Sequence, residues 1–131
     1  MPPRVPFTQT FLSGKELEYV TRVIEQGSLA SDGPFSQQSA EWLKQYCGAA
    51  GVLMTSSCTA ALEMAAMLCE LGPGDEVIMP SFTFVSTASA VTRTGAQPVF
   101  VDIDRRTLNI DPACIAEQVN SRTRAIIPVH Y

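Results

Sequence analysis

Gly72-Pro73-Gly74-Asp75-Glu76-Val77-Ile78-Met79-Pro80 reads as a tight turn followed by a short strand that is apolar through its middle. Before it, Thr59 to Leu71 is an Ala-rich run with helical spacing; after it, a helical stretch over Thr83 to Arg93 ends at Gly95. Pro98-Val99-Phe100-Val101-Asp102-Ile103 predicts the next strand. Asp111-Pro112, a cap followed by proline at the first helical position, predicts a helix through Val119. Ala125-Ile126-Ile127-Pro128-Val129 predicts the last strand, ahead of His130-Tyr131. Upstream, the short apolar run Val52-Leu53-Met54 predicts one more. Strands that alternate with helices and are mostly apolar throughout imply a parallel sheet covered on both faces, an α/β fold. Ligands of such sheets bind beyond the carboxyl ends of the strands. Thr55 to Thr59, Pro80 to Phe84, Asp102 to Asp104 and His130-Tyr131 all follow strands and are therefore expected on one rim.

The turn Thr55-Ser56-Ser57-Cys58-Thr59 admits two readings. A helix beginning near Cys58 or Thr59 leaves its first N-H groups without intrahelical partners, at the positive end of the macrodipole. Hydroxyls at Ser56, Ser57 and Thr59 then complete a cradle for an anion, and the small side chains let a phosphate approach the backbone. Plain N-capping explains the same residues, because Ser and Thr suit any helix start.

The first third of the chain is built differently. Pro2, Pro3 and Pro6 forbid regular helix, which leaves an irregular arm with Phe7 and Phe11 as apolar anchors. Ser13-Gly14-Lys15-Glu16 has capping-box spacing, and Leu17, Val20, Val23 and Ile24 predict an amphipathic helix with one buried stripe, stopped by Gly27. Ser28 to Phe35 is a loop by composition, either a connector or a binding loop. Ser36 is the expected cap of a second helix carrying Trp42, Leu43 and Tyr46 toward Gly48.

A length of 131 residues predicts one domain. An apolar content of 46% with 17% charged residues is that of a globular chain, and a net charge of -4 with scattered Lys and Arg argues against a nucleic-acid surface. The amino terminus has no signal-peptide core, so export is not expected. Cys47, Cys58, Cys69 and Cys114 form no Cys-x-x-Cys pair and have one histidine, His130, in the whole chain for company. That argues against zinc or a disulfide frame and for a reducing cytoplasm.

Among phosphate-bearing ligands, a dinucleotide would want Gly-x-Gly-x-x-Gly after the first strand, and ATP or GTP a Gly-x-x-x-x-Gly-Lys-Ser/Thr loop. Neither occurs. Pyridoxal phosphate needs an anion cradle, a flat apolar surface against its ring, an acid at the pyridine nitrogen and a lysine. These residues offer the first two.

Three stretches, Thr55 to Ala65, Gly72 to Thr87, and Pro98 to Asp104 with Thr107 to Pro112, resemble the amino-terminal part of the sugar-nucleotide aminotransferases of the DegT/StrS family. The similarity extends over essentially the whole chain. It implies the large domain of a fold type I pyridoxal phosphate-dependent transferase, a mostly parallel sheet covered by helices and present here as an amino-terminal fragment. The resemblance is strongest to the branch that makes dTDP-4-amino-4,6-dideoxygalactose for enterobacterial common antigen and lipopolysaccharide. It implies glutamate as amino donor, the 4-keto carbon of a dTDP-4-keto-6-deoxyhexose as acceptor, and a cytoplasmic homodimer without nucleic-acid, membrane or metal partners.

Carried onto this sequence, the resemblance assigns the cofactor phosphate to Ser57, Cys58 and Thr59 and the ring-stacking aromatic to Phe84. Phe82 is left as a core residue. Phe7, Ser31, Asp32 and Tyr131 are assigned to the substrate side, with the arm and the Ser28 to Phe35 loop near the nucleotide-sugar site. His130 is expected to be structural, and Ser89 stands where relatives often carry Asn. The family's Schiff-base lysine has no counterpart: Lys15 and Lys44 are the only lysines, and both are expected to be solvated helix charges. The 131 residues are therefore expected to hold no catalytic residue and to be inactive alone. A reading of another class is a catalytically silent piece that acts only in subunit association.

Overall fold

The computed structural model describes residues 5–6, 8–27 and 29–131. They form two compact units divided after Met54.

The second unit is an α/β layer. Its elements in chain order are α3 (Cys58–Leu68), β1 (Glu76–Pro80), α4 (Val85–Thr92), β2 (Gln97–Val101), α5 (Pro112–Gln118) and β3 (Thr123–Ile126), with α1 (Glu16–Glu25) and α2 (Pro34–Cys47) belonging to the first unit. The sheet order is β2-β1-β3, and both pairings are parallel. The central strand is buried at all five positions, as its apolar run requires, whereas β2 and β3 are only partly covered. Successive strand side chains alternate between faces. Val77 and Met79 accordingly share one core with Ala66 and Leu71 from the α3 side, Val91 of α4 and Ala96. Ile78 points to the other face and is equally sealed from solvent. Each such side chain contributes about 1.5–3 kcal/mol.

Between α3 and β1 the chain turns sharply. Glu70 takes a left-handed conformation (φ 54°), and the Leu71 amide bonds back to the Ala66 carbonyl at 3.2 Å, which ends α3 three residues before the apolar run does. The Gly72 amide then donates to the Asp75 carboxylate at 2.9 Å, closing the turn. At the start of β2, Gly95 has φ 88°, and a Cβ there would lie 3.0 Å from Pro73 Cγ. Glycine is required on both counts, so the turns preceding β1 and β2 rest on each other.

The same end of the sheet is fastened by Glu76. Its carboxylate accepts from Asn120 Nδ2 at 2.8 Å and from Arg122 Nε at 2.8 Å and Nη2 at 2.5 Å, while its amide donates to the Arg122 carbonyl at 2.8 Å. The Asn120 amide and the Arg122 guanidinium hold the Glu76 carboxyl below its ordinary value of 4.5. A folded value below the unfolded one gives stability that is complete above 4.5 and lost as pH falls through the folded value. Glu76→Gln should therefore lower the denaturation midpoint near pH 7, and its curve and the wild-type curve should converge as pH falls below 4.5 through the folded value. Parallel curves across that range would remove the charge from the explanation.

Strand ends depart from expectation by a few residues. β3 covers 123–126, not 125–129: Arg122 and Asn120 draw its beginning to Glu76, and Pro128 has no N-H to extend the ladder. The Ile127 amide makes the last rung, to the Ile78 carbonyl at 2.9 Å. β2 stops at Val101, and Ile103 instead forms an antiparallel bridge with Ile110. The apolar run Val52-Leu53-Met54 forms no strand, because a strand needs a paired neighbour and none of the described residues pairs with it.

In the first unit, α1 (Glu16–Glu25) and α2 (Pro34–Cys47) carry no buried residue. The stripe of α1 expected to be buried is exposed, with Leu17 82% accessible, because two helices give it no covering layer within this unit. The capping box is realised in half. Glu16 reaches back to the amides of Ser13 and Gly14 and to the Ser13 hydroxyl, yet Lys15 occupies the N-cap. The second helix begins at Pro34, so Ser36 is not its cap. Proline at the first position needs no N-H partner, which lets Gly33 serve as the cap. Tyr19 meets Phe35 edge to face at 5.3 Å, beside an open apolar groove of about 880 Å³ lined by Tyr19, Val20, Ile24, Leu29, Phe35 and Trp42. No helix among the described residues is long and apolar enough to cross a membrane.

Candidate cofactor site

At the start of α3 the capping reading of the Thr55 to Thr59 turn is realised at Ser57, with further donors left open beside it. Ser57 is the N-cap in extended conformation (φ -160°, ψ 157°), and its hydroxyl accepts from the Ala60 amide at 3.1 Å. Thr55 supports the bend by donating its hydroxyl to the Ser57 carbonyl at 2.9 Å. The amides of Cys58 and Thr59 meet no acceptor among the described residues, and neither does the Thr59 hydroxyl donate to one. Capping thus uses one donor of the first turn and leaves the Cys58 and Thr59 amides and the Thr59 hydroxyl open at the helix start.

Topology places this cluster. α3 ends in the turn that feeds β1, so its C-terminus lies at the amino end of the sheet. Its 11 residues rise about 16 Å, close to the length of the five-residue β1. The N-terminus is therefore level with the carboxyl ends of the strands. The helix α4 leaves β1 at that same end and packs against α3.

Three strand ends supply the rest of the rim. After β1, the Thr83 and Thr87 hydroxyls are 2.8 Å apart, and the Thr87 amide donates to the Phe84 carbonyl at 3.0 Å. That fixes Phe84 as the N-cap residue of α4, 74% exposed and so an open apolar side chain. Phe82 is not the core residue expected. It is half exposed, and its ring stacks on Tyr131 with centroids 4.7 Å apart. After β2, the Asp104 carboxylate accepts from the Thr107 amide at 2.9 Å and the Arg106 amide at 2.8 Å, which hold it below the usual carboxylate range and close the loop. After β3, the Tyr131 amide donates to Asn109 Oδ1 at 3.0 Å.

Other assigned residues fall elsewhere. Ser31 and Asp32 are exposed in the first unit; Asp32 has φ 64°, a conformation Asp tolerates, and its carbonyl accepts from Gln37 Nε2 at 3.1 Å. Phe7, and Ser28 at the start of the loop, lie outside the described residues. Ser89 spends its hydroxyl on the Val85 carbonyl of its own helix at 3.1 Å. Sequence reasoning missed Asn109 as a rim residue. The local signal was a turn-forming cluster from Asp104 to Asn109, but its partner lies 22 positions away.

A parallel sheet flanked by helices, with donors gathered at one helix start beyond its strand ends, has the architecture of the fold type I pyridoxal phosphate-dependent transferases. Residues 11–131 match the DegT/DnrJ/EryC1/StrS aminotransferase family, and the chain belongs to it. It is 43% identical over 127 residues to the spore coat polysaccharide biosynthesis protein SpsC of Bacillus subtilis, covering 97% of this chain and 32% of that protein. Against GDP-perosamine synthase of Caulobacter vibrioides it is 38% identical over 128 residues, 98% of this chain and 34% of the relative. The crystal structure of NtdA from Bacillus subtilis, with bound cofactor PMP, superposes with a TM-score of 0.80 at 39% identity, over 87% of this chain and 26% of that one. The chain spans about a third of the length of these relatives.

The donor set fits a phosphate ester. Two open amides and a hydroxyl at a helix N-terminus suit a dianion, and a free aromatic face at Phe84 suits a planar ring.

Proposed function

We propose that the full-length protein is a pyridoxal phosphate-dependent aminotransferase acting on a nucleotide sugar, with glutamate as donor and the 4-keto carbon of a dTDP-4-keto-6-deoxyhexose as acceptor. Its product would serve cell-surface polysaccharide synthesis, and the working form would be a cytoplasmic homodimer. The observation that carries this reading is the pair of open amides at Cys58 and Thr59 beside the Thr59 hydroxyl, in a chain of this family.

When bound, pyridoxal phosphate supplies the electron sink that lets an amino group be removed from one carbon and placed on another. The residues of this chain orient it. Ser57 sets the helix start, Cys58 and Thr59 would hold the phosphate through their open donors, and Phe84 would offer its apolar ring to one face of the cofactor. Phe7, Ser31, Asp32 and Tyr131 belong to the substrate side. Lys15 caps α1, and Lys44 lies on α2 within 3.9 Å of Glu41, so both serve as helix-surface charges and neither as the Schiff-base residue. On this reading the 131 residues do not transaminate alone.

The kinship with a GDP-perosamine synthase favours a GDP-linked sugar as the second substrate reading. Full-length protein given cofactor, glutamate and dTDP-4-keto-6-deoxyhexose should yield the dTDP-amino sugar, detected by mass. Product from a GDP-linked keto sugar alone would select the second reading, and no amino sugar from either would overturn both.

A further inference from the structure

We infer that Asn109 and Phe82 are positioning residues that hold Tyr131 as a rigid, polar-tipped contact for the sugar nucleotide. The inference rests on the aminotransferase reading and assigns two residues that reading does not use.

Two strand ends converge on Tyr131, which itself follows a third, β3. Its amide donates to Asn109 Oδ1 at 3.0 Å, from the loop after β2, and its ring lies on Phe82, from the loop after β1, at 4.7 Å and 27°. Asn109 is itself fixed. Its carbonyl accepts from the Asp104 amide at 2.9 Å, the Leu108 amide donates to the Asp104 carbonyl at 2.8 Å, and the Ile103–Ile110 bridge closes the base of the loop. Leu108 turns the chain there with φ 60°. Asn109 therefore presents its amide oxygen from a closed frame.

Offset stacking is a favoured aromatic geometry, and a ring held on one face by another ring and at its backbone by a hydrogen bond has little freedom left to lose on binding. Its phenol meets no partner among the described residues, and the residue is 63% exposed. An apolar plate with a donor-acceptor tip, at the carboxyl end of a parallel sheet, suits a ligand that combines a planar or ring body with hydroxyl groups, as a nucleotide sugar does.

The test uses full-length protein with cofactor and a dTDP-linked hexose as calorimetric probe. Asn109→Ala should weaken probe binding about 3- to 10-fold, the range expected of one uncharged hydrogen bond, and raise KM for the keto sugar similarly at nearly unchanged kcat. Asn109→Asp keeps an acceptor and should stay within about 2-fold of wild type, and Phe82→Leu should behave like Asn109→Ala. Cofactor retention and thermal midpoint should move little in all three. Unchanged probe affinity in Asn109→Ala, or equal losses in the Ala and Asp variants, would overturn the inference, as would probe affinity that falls only in step with cofactor retention. A wild-type protein that neither binds the probe nor forms an amino sugar defeats the aminotransferase reading and this inference together. A wild type that does both, matched by Asn109→Ala, defeats this inference alone.

Discussion

Ile78→Ala should destabilise the protein by about 2–5 kcal/mol, a large share of the roughly 5–15 kcal/mol typical of a whole domain. Ile78 sits at the centre of β1, has no accessible surface, and pairs with Val99 on one side and Ile126 on the other. Both neighbouring strands are hydrogen-bonded across it, so the cavity cannot collapse without disturbing two ladders. Transfer and cavity terms then add. In urea the midpoint should fall while the slope stays near the wild-type value, which marks lost stability and not a changed denatured state. A loss below about 1 kcal/mol would mean that the β1 core is not the structural centre described above.

Thr59→Val should weaken retention of pyridoxal phosphate by roughly 10- to 100-fold in full-length protein, as expected when one hydrogen bond to a charged group is lost. The substitution keeps the β-branched shape and removes the hydroxyl. The Cys58 and Thr59 amides remain, so binding is reduced and not abolished. Ser57→Ala is the contrasting change. It removes the bond to the Ala60 amide and should cost about 1 kcal/mol of stability, the usual value of an N-cap, with a smaller effect on the cofactor. Absorbance titration with the free cofactor measures the retention, and equal affinity in Thr59→Val and wild type would remove Thr59 from the phosphate site.

Features governed by neighbours in the chain were readable in advance. The apolar run from Glu76 to Pro80 became the buried central strand at the same residues, Asp111-Pro112 opened α5 with the Asp111 carboxylate accepting from the Ala113 amide, and Gly48 ended α2 at φ 64°. The small polar residues before α3 marked the helix start, although only geometry could apportion its donors between cap and open site. Features that depend on distant partners were not readable. Val52-Leu53-Met54 has strand composition but no paired strand among the described residues, and the apolar period of α1 cannot report whether a covering layer exists within its unit. Phe82 looked like core from its type alone, but it is half exposed and stacks on a ring 49 positions further on. The Glu76 latch joins residues 44 and 46 apart, a separation at which sequence gives no warning.

The contact of Gly95 with Pro73, together with the Glu76, Asn120 and Arg122 cluster, locks the foot of the sheet independently of its top. Substitutions that reshape the loops beyond Pro80, Val101 and Ile126 leave that closure intact. The rim beyond the strand ends can therefore vary in shape and polarity without disturbing the contacts that register the strands.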